Sequence, residues 1–390
     1  MDRKNVIFLL VASAMLIDMM MYTLVIPILP AYSLTIGADE MVIGVIFGAF
    51  SIALLLSSIP LGILSDRVGR KPLMVTGMFL LAVTNLVFVL SNNMYMLVLA
   101  RLIQGISGAA TWSAGLALIA DTFDSSERGS RLGMAIAIMS AGTLIGPLAG
   151  GFIYDRLGYR MTFVLPSALA LILCVLFLWI QSPPVSVRGR SDYRKLLKKA
   201  PLHLIVCSTA IVAGALTFGL IEPFMPVYLF QKFSATPTII GIAFGAMSLL
   251  NMGAAPLVGK LYDRYGSRVL LSSGLILTGL IIAAMTITPS IELTIIAFAL
   301  AGITISMGLT PMLPLLTDLF GGDEKSSQGF LYGIYNTLFS LGLAIGPLLG
   351  GILVTRFSLP IAVLGQSTLL ALTGLIFFLA IRDRKMALSQ

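Results

Sequence analysis

Residues 5–34 read NVIFLLVASAMLIDMMMYTLVIPILPAYSL, and Asp18 is the one charged residue among them. A helix crosses a bilayer with about 20 predominantly apolar residues, so this stretch is long enough to span. Lipid cannot solvate a carboxylate there. Burying one costs roughly 2.5–3.5 kcal/mol even on lenient insertion scales. Such a residue ordinarily faces a polar cavity and handles a proton, an ion or a charged substrate. The alternative is a hydrogen-bonded aspartate that serves only helix packing.

The rest of the chain has the same character. Of 390 residues, 58% are hydrophobic and 11% charged, with a mean hydropathy of +1.01. Globular chains are about 25% charged. The composition therefore indicates an integral membrane protein. The apolar runs are long and do not alternate at period two, which excludes a barrel and predicts helices. Twelve spans are predicted, near 6–32, 41–65, 73–91, 95–120, 131–154, 161–181, 202–230, 238–260, 269–288, 291–317, 328–354 and 360–381. The expected class is all-α, with no soluble catalytic domain and no enzyme activity.

The net charge of +8 is not a nucleic-acid signal. With the N-terminus inside, most basic residues fall in cytoplasmic segments, among them Arg67, Arg70, Lys71, Arg128 and Arg264. The outer segments hold Arg156, Arg160, Lys232 and Arg356, and Arg101 lies within a span. The positive-inside rule then places both termini in the cytoplasm. Asp2-Arg3-Lys4 before an apolar run has the outline of a signal peptide. The run is too long and no cleavage site follows, so a retained first span is expected. Cys174 and Cys207 both fall in spans and read as small buried residues. His203, the single histidine, reads as a helix-end residue.

The chain contains an internal duplication. Gly62-Ile-Leu-Ser-Asp66-Arg67-Val-Gly69-Arg70 matches Gly259-Lys-Leu-Tyr-Asp263-Arg264-Tyr-Gly266, and Gly142, Gly146-Pro147 and Gly150 match Gly342, Gly346-Pro347 and Gly350. Residues 1–181 and 202–390 are thus expected to be two homologous six-helix bundles, with a polar, basic cytoplasmic linker at 182–201. Asp155-Arg156-Leu-Gly158 repeats the Asp66 motif on the opposite face, as inverted three-helix repeats would. That symmetry belongs to secondary transporters, whose sites lie near the midplane.

Gly142, Gly146 and Gly150 share one helix face and permit close helix approach, while Pro147 bends the helix. Spans 5 and 11 are expected either to form a hinge-like seam between the halves or simply to pack tightly. The loop with Asp66, Arg67 and Arg70 reads as a charged latch that forms in one state and breaks in another, or as a topology anchor. From Arg101, the positions Gln104, Gly105, Gly108 and Trp112 share a helix face too polar for lipid. Phe218 and Met225 flank Glu222; Tyr332 and Phe339 flank Asn336. Aromatic rings near carboxylates suit an ammonium ion. Methionines 15, 19, 20 and 21 would add adaptable surface near Asp18.

The loop from Gly62 to Lys71 resembles the signature between spans 2 and 3 of the major facilitator superfamily. Arg101-Leu-Ile-Gln104-Gly105 resembles its span 4 motif, and residues 142–151 resemble the span 5 motif of its proton antiporters. Asp18 with Val25-Ile-Pro27, Ile221-Glu222-Pro223 and the Ser125–Gly129 loop are similar to the vesicular monoamine transporters of animals. The resemblance implies that Asp18 binds the substrate amine and that Glu222 belongs to the proton and substrate machinery. Two further acids of that family are replaced here by Ser306 and Asn336.

The expected function is a proton-coupled antiporter of the cell membrane that exports hydrophobic organic cations. Asp18, Glu222, Asn336, Trp112, Tyr332 and Phe339 would contact substrate; Asp18, Glu222 and Arg101 would couple protons; Asp66, Arg67, Arg70, Gly142, Gly146, Pro147 and Gly150 would gate. A proton symporter for uptake of a sugar or other small metabolite is the alternative. A primary pump is disfavoured, because Gly259-Lys260 lacks phosphate-loop spacing. No cofactor, metal or nucleic-acid partner is expected. The expected partners are protons, a cationic small molecule and the lipid bilayer, with the protein acting as a monomer.

Overall fold

A computed structural model describes residues 2–180, 201–320 and 326–381. The linker at 182–201 lies outside the described residues apart from Pro201. Among the described residues every regular element is helical: α1 (Arg3–Leu24), α2 (Leu29–Thr35), α3 (Glu40–Val68), α4 (Arg70–Leu90), α5 (Met94–Thr122), α6 (Ser125–Trp179), α7 (Pro201–Phe233), α8 (Pro237–Tyr265), α9 (Ser267–Ile287), α10 (Ile291–Leu309), α11 (Met312–Phe320), α12 (Ser326–Arg356) and α13 (Leu359–Ala380). Among the described residues 11 stretches are long and apolar enough to cross a membrane, and one of these, Ser126–Trp179, holds two of the predicted spans. The twelve expected spans are thereby accounted for.

Short polar residues start the helices. Asp39 accepts the backbone N–H of Val42 at 2.8 Å, and Asn93 accepts that of Met96 at 3.0 Å. Each satisfies an N–H that has no partner within its helix. Glycine stops them. Gly69 has φ +99°, and Gly158 and Gly266 both have φ +80°, a region that residues with a Cβ rarely enter. All three close the same Asp-Arg-X-Gly motif. The repeat seen in the sequence is therefore a repeated helix stop, and at Gly158 it divides α6.

Two spans expected as single helices are broken. The first stops at Leu24 and resumes at Leu29 as α2; Pro27 has no N–H for the helix ladder, and Pro30 fits the first turn of α2. The tenth stops at Leu309 and resumes at Met312, with Pro311 between.

The chain forms two compact units, Met1–Arg188 with Leu229–Gly245, and Gly189–Tyr228 with Ala246–Gln390. In the first, α1 lies along α6, α3 along α5, and α4 against both α5 and α6. Glycines set these approaches. A Cβ on Gly142 would lie 2.7 Å from the Leu16 carbonyl oxygen, and one on Gly150 2.6 Å from that of Leu24. One on Gly146 would overlap Thr23 and the Met20 carbonyl. The Thr23 hydroxyl donates to the Gly142 carbonyl at 3.1 Å across this contact. The face of span 5 formed by Gly142, Gly146 and Gly150 thus packs on α1 of its own half. Gly151, one position off that face, packs against Pro237, and Asp155 accepts the Thr238 backbone N–H at 2.9 Å, both in the Leu229–Gly245 segment of the same unit.

The second unit repeats the pattern. A Cβ on Gly346 would lie 2.8 Å from the Gly219 Cα, so the span 11 glycines pack on α7. Gly105 abuts Phe50 and Leu54 of α3, and Gly302 abuts Met247 and Asn251 of α8. Gly77 abuts Thr111, and Gly274 abuts Gly308. The duplicated sequence reproduces its packing contact by contact.

These approaches make a direct stability prediction. Gly146→Ala forces a methyl into Thr23 and should cost roughly 1–3 kcal/mol, the usual penalty of overpacking. Gly129→Ala lies on α6 with nothing within 4 Å of the new methyl and should be neutral or stabilising, since alanine favours a helix. Thermal unfolding of the purified variants in detergent distinguishes them; equal midpoints would mean α1 and α6 yield easily.

Candidate functional site

In the first unit, α1, α3 and α5 enclose a polar cluster. Asp18 is 3% exposed and Arg101 1%. Tyr22 follows Asp18 by one turn of α1, and its ring lies 4.6 Å from that of Phe50. The Arg101 guanidinium carbon lies 5.6 Å from the Tyr22 ring centre, 5.0 Å from Phe47 and 4.6 Å from Phe50. Its Nη1 donates to Gln104 Oε1 at 2.7 Å. Guanidinium stays protonated and is weakly hydrated, so ring faces are a suitable surround; each such contact is worth about 2 kcal/mol when desolvated.

Asp18 is treated differently. Trp112 and Ser107 stand beside its carboxylate, yet neither Asp18 Oδ1 nor Trp112 Nε1 completes a hydrogen bond among the described residues. Ser107 gives its hydroxyl to the Gly77 carbonyl at 2.8 Å. No ion pair among the described residues reaches Asp18. The α5 face of Gln104, Gly105, Gly108 and Trp112 expected from the sequence does turn inward, toward α1 and α3. Of the methionines, Met15 packs against Gly115 and Met19 against Gly142, so these two fill helix contacts.

A second charged group sits where α3 and α5 end and α4 begins. Arg70 Nε donates to Asp121 at 3.0 Å, and both side chains are buried. Arg70 Nη1 also donates to Ser65 at 3.1 Å and to Asp66. Arg67, expected in the same latch, is exposed and makes no ion pair among the described residues. Asp121 was not anticipated. Its signal was present: Asp121 aligns with Asp318 by the same offset that relates Asp66 to Asp263. In the second unit Asp318 accepts the Tyr262 hydroxyl at 2.6 Å.

Glu222 is buried in α7. Phe218, one turn earlier, lies 6.1 Å from Phe339 of α12, which stacks on Tyr335 at 6.0 Å. Asn336 is exposed on α12, and the side chain of Tyr332 lies outside the described residues. Ser306 is buried against Thr310 at 3.1 Å. The rings around Arg101 were also missed, because Phe47 and Phe50 look like ordinary core residues in the sequence.

Two repeated six-span bundles and buried charges within the spans define a membrane transporter rather than an enzyme. The chain belongs to the Major Facilitator Superfamily, whose model matches residues 11–228 and 207–389. It is 30% identical to multidrug resistance protein 2 of Bacillus subtilis, over 90% of both chains. It is 25% identical to the synaptic vesicular amine transporter of Bos taurus, over 83% of this chain and 63% of that protein. The inward-facing, occupied crystal structure of a bacterial homologue of the human lysosomal transporter Spinster has the same fold, with a TM-score of 0.86 at 15% identity, covering 99% of this chain and 98% of that one.

The Arg70 network predicts unequal mutational effects. Asp121→Asn breaks the buried pair and should destabilise by about 3 kcal/mol, because it leaves the buried guanidinium with only the exposed carboxylate of Asp66 as counter-charge. The Asp66 side chain is 64% exposed. Asp66→Asn should therefore cost under about 1 kcal/mol. Thermal unfolding of both variants measures the difference, and equal losses would contradict the assignment.

Proposed function

We propose that this protein is a proton-coupled antiporter that exports hydrophobic organic cations across the cell membrane, with both termini cytoplasmic. The observation that carries the reading is Asp18: a buried carboxylate with no ion pair among the described residues, beside an indole N–H that likewise lacks a hydrogen-bond partner among them. An isolated carboxylate in an apolar interior is unstable by several kcal/mol. Either a proton or a substrate ammonium can neutralise it. Both cannot do so at once, so loading one expels the other, and exchange follows from competition at one group. The names of the multidrug and amine relatives support a cationic cargo.

Arg101 keeps its charge within its rings and Gln104, and so stays available as a fixed positive reference near the cluster. Glu222, with Phe218 on α7 and Phe339 and Asn336 on α12, supplies a second titratable group in the other unit. The Arg70, Asp66 and Asp121 network is the gating latch of this reading, with Asp121 replacing Arg67 as the partner. The span 5 glycines act as a rigid coupling of α1 to α6.

Asp18→Asn keeps the volume and removes the charge. Affinity for protonated amines should fall by roughly 1.5–3 kcal/mol, the worth of a hydrogen bond to a charged group. A neutral ligand of the same shape should lose much less. Wild-type amine affinity should also weaken as pH falls through the titration of Asp18, since the protonated acid no longer attracts the cation, and the variant should lack that dependence. Equilibrium binding of one amine and its uncharged analogue across pH tests this, and equal losses for both ligands would make Asp18 a packing residue.

Glu222→Gln retains shape without a titratable group. Proton-driven efflux from proteoliposomes should fall while substrate exchange without a gradient persists. Full gradient-driven efflux would remove Glu222 from the coupling.

A further inference from the structure

Four glycines of α5 or its neighbours meet close contacts, and one does not. A Cβ on Gly105 would overlap the Phe50 carbonyl, one on Gly77 would lie 2.6 Å from Thr111 Oγ1, and one on Gly115 3.2 Å from Val11. At Gly142 the nearest atom is 2.7 Å away. At Gly108 the nearest atoms are Asp18 Oδ2 at 3.5 Å, Leu54 Cδ1 at 3.7 Å and Phe50 Cε2 at 4.0 Å, all ordinary contact distances. Helix packing therefore has room for a methyl group at 108.

The second half makes the same point independently. The offset that relates Gly77 to Gly274 and Gly105 to Gly302 relates Gly108 to Ile305. Ile305 carries a full side chain at that position and lines a small cavity with Gly214 and Leu309. The backbone of this fold does not demand glycine there. In the first half, the space that a side chain would fill lies against the buried carboxylate of Asp18, whose Oδ1 has no hydrogen-bond partner among the described residues.

We propose that Gly108 is a specificity-determining position, and that the methyl-sized space it leaves beside Asp18, walled by Phe50 and Leu54, receives one N-methyl group of the substrate's ammonium head. The inference rests on the reading of Asp18 as the cation site. A primary ammonium presents only N–H groups to the carboxylate and needs little of this space. A trimethylammonium cannot hydrogen-bond; it depends on contacts of one of its methyls with the Phe50 ring, the Leu54 side chain and the bare flank of Gly108. The ring face and the carboxylate attract such a head electrostatically. One methyl group more or less in an apolar pocket changes selection by about 10-fold to 200-fold.

The test uses phenethylamine, its N,N-dimethyl derivative and its N,N,N-trimethyl derivative. Binding is read from Trp112 fluorescence in a Trp179→Phe background, Trp179 being the second of the 2 tryptophans and exposed. Gly108→Ala should shift the affinity ratio of trimethyl to primary amine at least tenfold toward the primary. Leu54→Val, which widens the same space from its other wall, should shift the ratio the opposite way. An unchanged ratio in both variants, or equal loss across the series, overturns the proposal. Asp18→Asn is measured in parallel. If it weakens all three ammoniums while the ratios stay fixed in the other variants, the size filter is wrong and the cation site stands. If it weakens none of them, the cation site falls and the filter falls with it.

Discussion

A carboxylate held inside apolar helices, with no ion pair among the described residues, is the constraint around which the first half is arranged. Asp18 sits on a helix chosen for insertion into lipid, and only its neighbours can make it tolerable. α5 supplies the neighbours: Gly108 admits the carboxylate, and Trp112 places beside it an N–H with no hydrogen-bond partner among the described residues. Arg101, the one basic residue expected within a span, lies in the same unit and is surrounded by Tyr22, Phe47 and Phe50. A fully solvated arginine would gain little from those rings. A buried one gains cation–π attraction and keeps its geometry. The cluster therefore holds a positive charge that is stabilised and a negative charge that is under-satisfied. Under-satisfaction is costly for stability and useful for exchange, because it leaves a group that a proton or a cation can complete.

The surrounding scaffold is rigid where that chemistry needs it. Without a hydrophobic force between helices in lipid, close packing of small residues holds a bundle together. The glycines of α6 grip α1 over the two turns that flank Asp18, from Leu16 to Leu24. The same device grips α7 through α12 in the second unit, around Glu222. In each half the helix that carries the buried acid is the helix that the glycine face holds. The Asp-Arg-X-Gly motif adds a second rule, since its glycine ends the helix in a conformation closed to other residues. At Arg70 it also turns the chain so that the guanidinium reaches Asp121 on α5.

Much of this was legible in the sequence because it is local or periodic. Long apolar runs mark the spans. The duplication is visible in the Asp66 and Gly146 motifs, and the inward face of α5 follows from spacing after Arg101. What was not legible depends on which helix meets which. The glycine face of span 5 announces a close neighbour without naming it, so a hinge-like seam and plain tight packing were equally open, and α1 as the neighbour was not foreseen. Phe47 and Phe50 are unremarkable on α3 until Arg101 is placed over them. Arg67 and Arg70 are equivalent in sequence; the left-handed turn at Gly69 separates them, burying Arg70 and leaving Arg67 exposed. The breaks at Pro27 and Pro311 were understated, since hydropathy continues through both. The position of Gly108 beside Asp18 Oδ2 follows only from three-dimensional contact, although its difference from Ile305 was present in the aligned halves.

The central claim is that one buried carboxylate is neutralised alternately by a proton and by an organic cation. Proton release on binding measures this most directly. Purified protein in weakly buffered detergent solution, near the pH where Asp18 is half protonated, should release protons in proportion to the amine bound, and Asp18→Asn should release markedly fewer for the same occupancy. An amine that binds with unchanged affinity and equal proton release in both proteins would contradict the account.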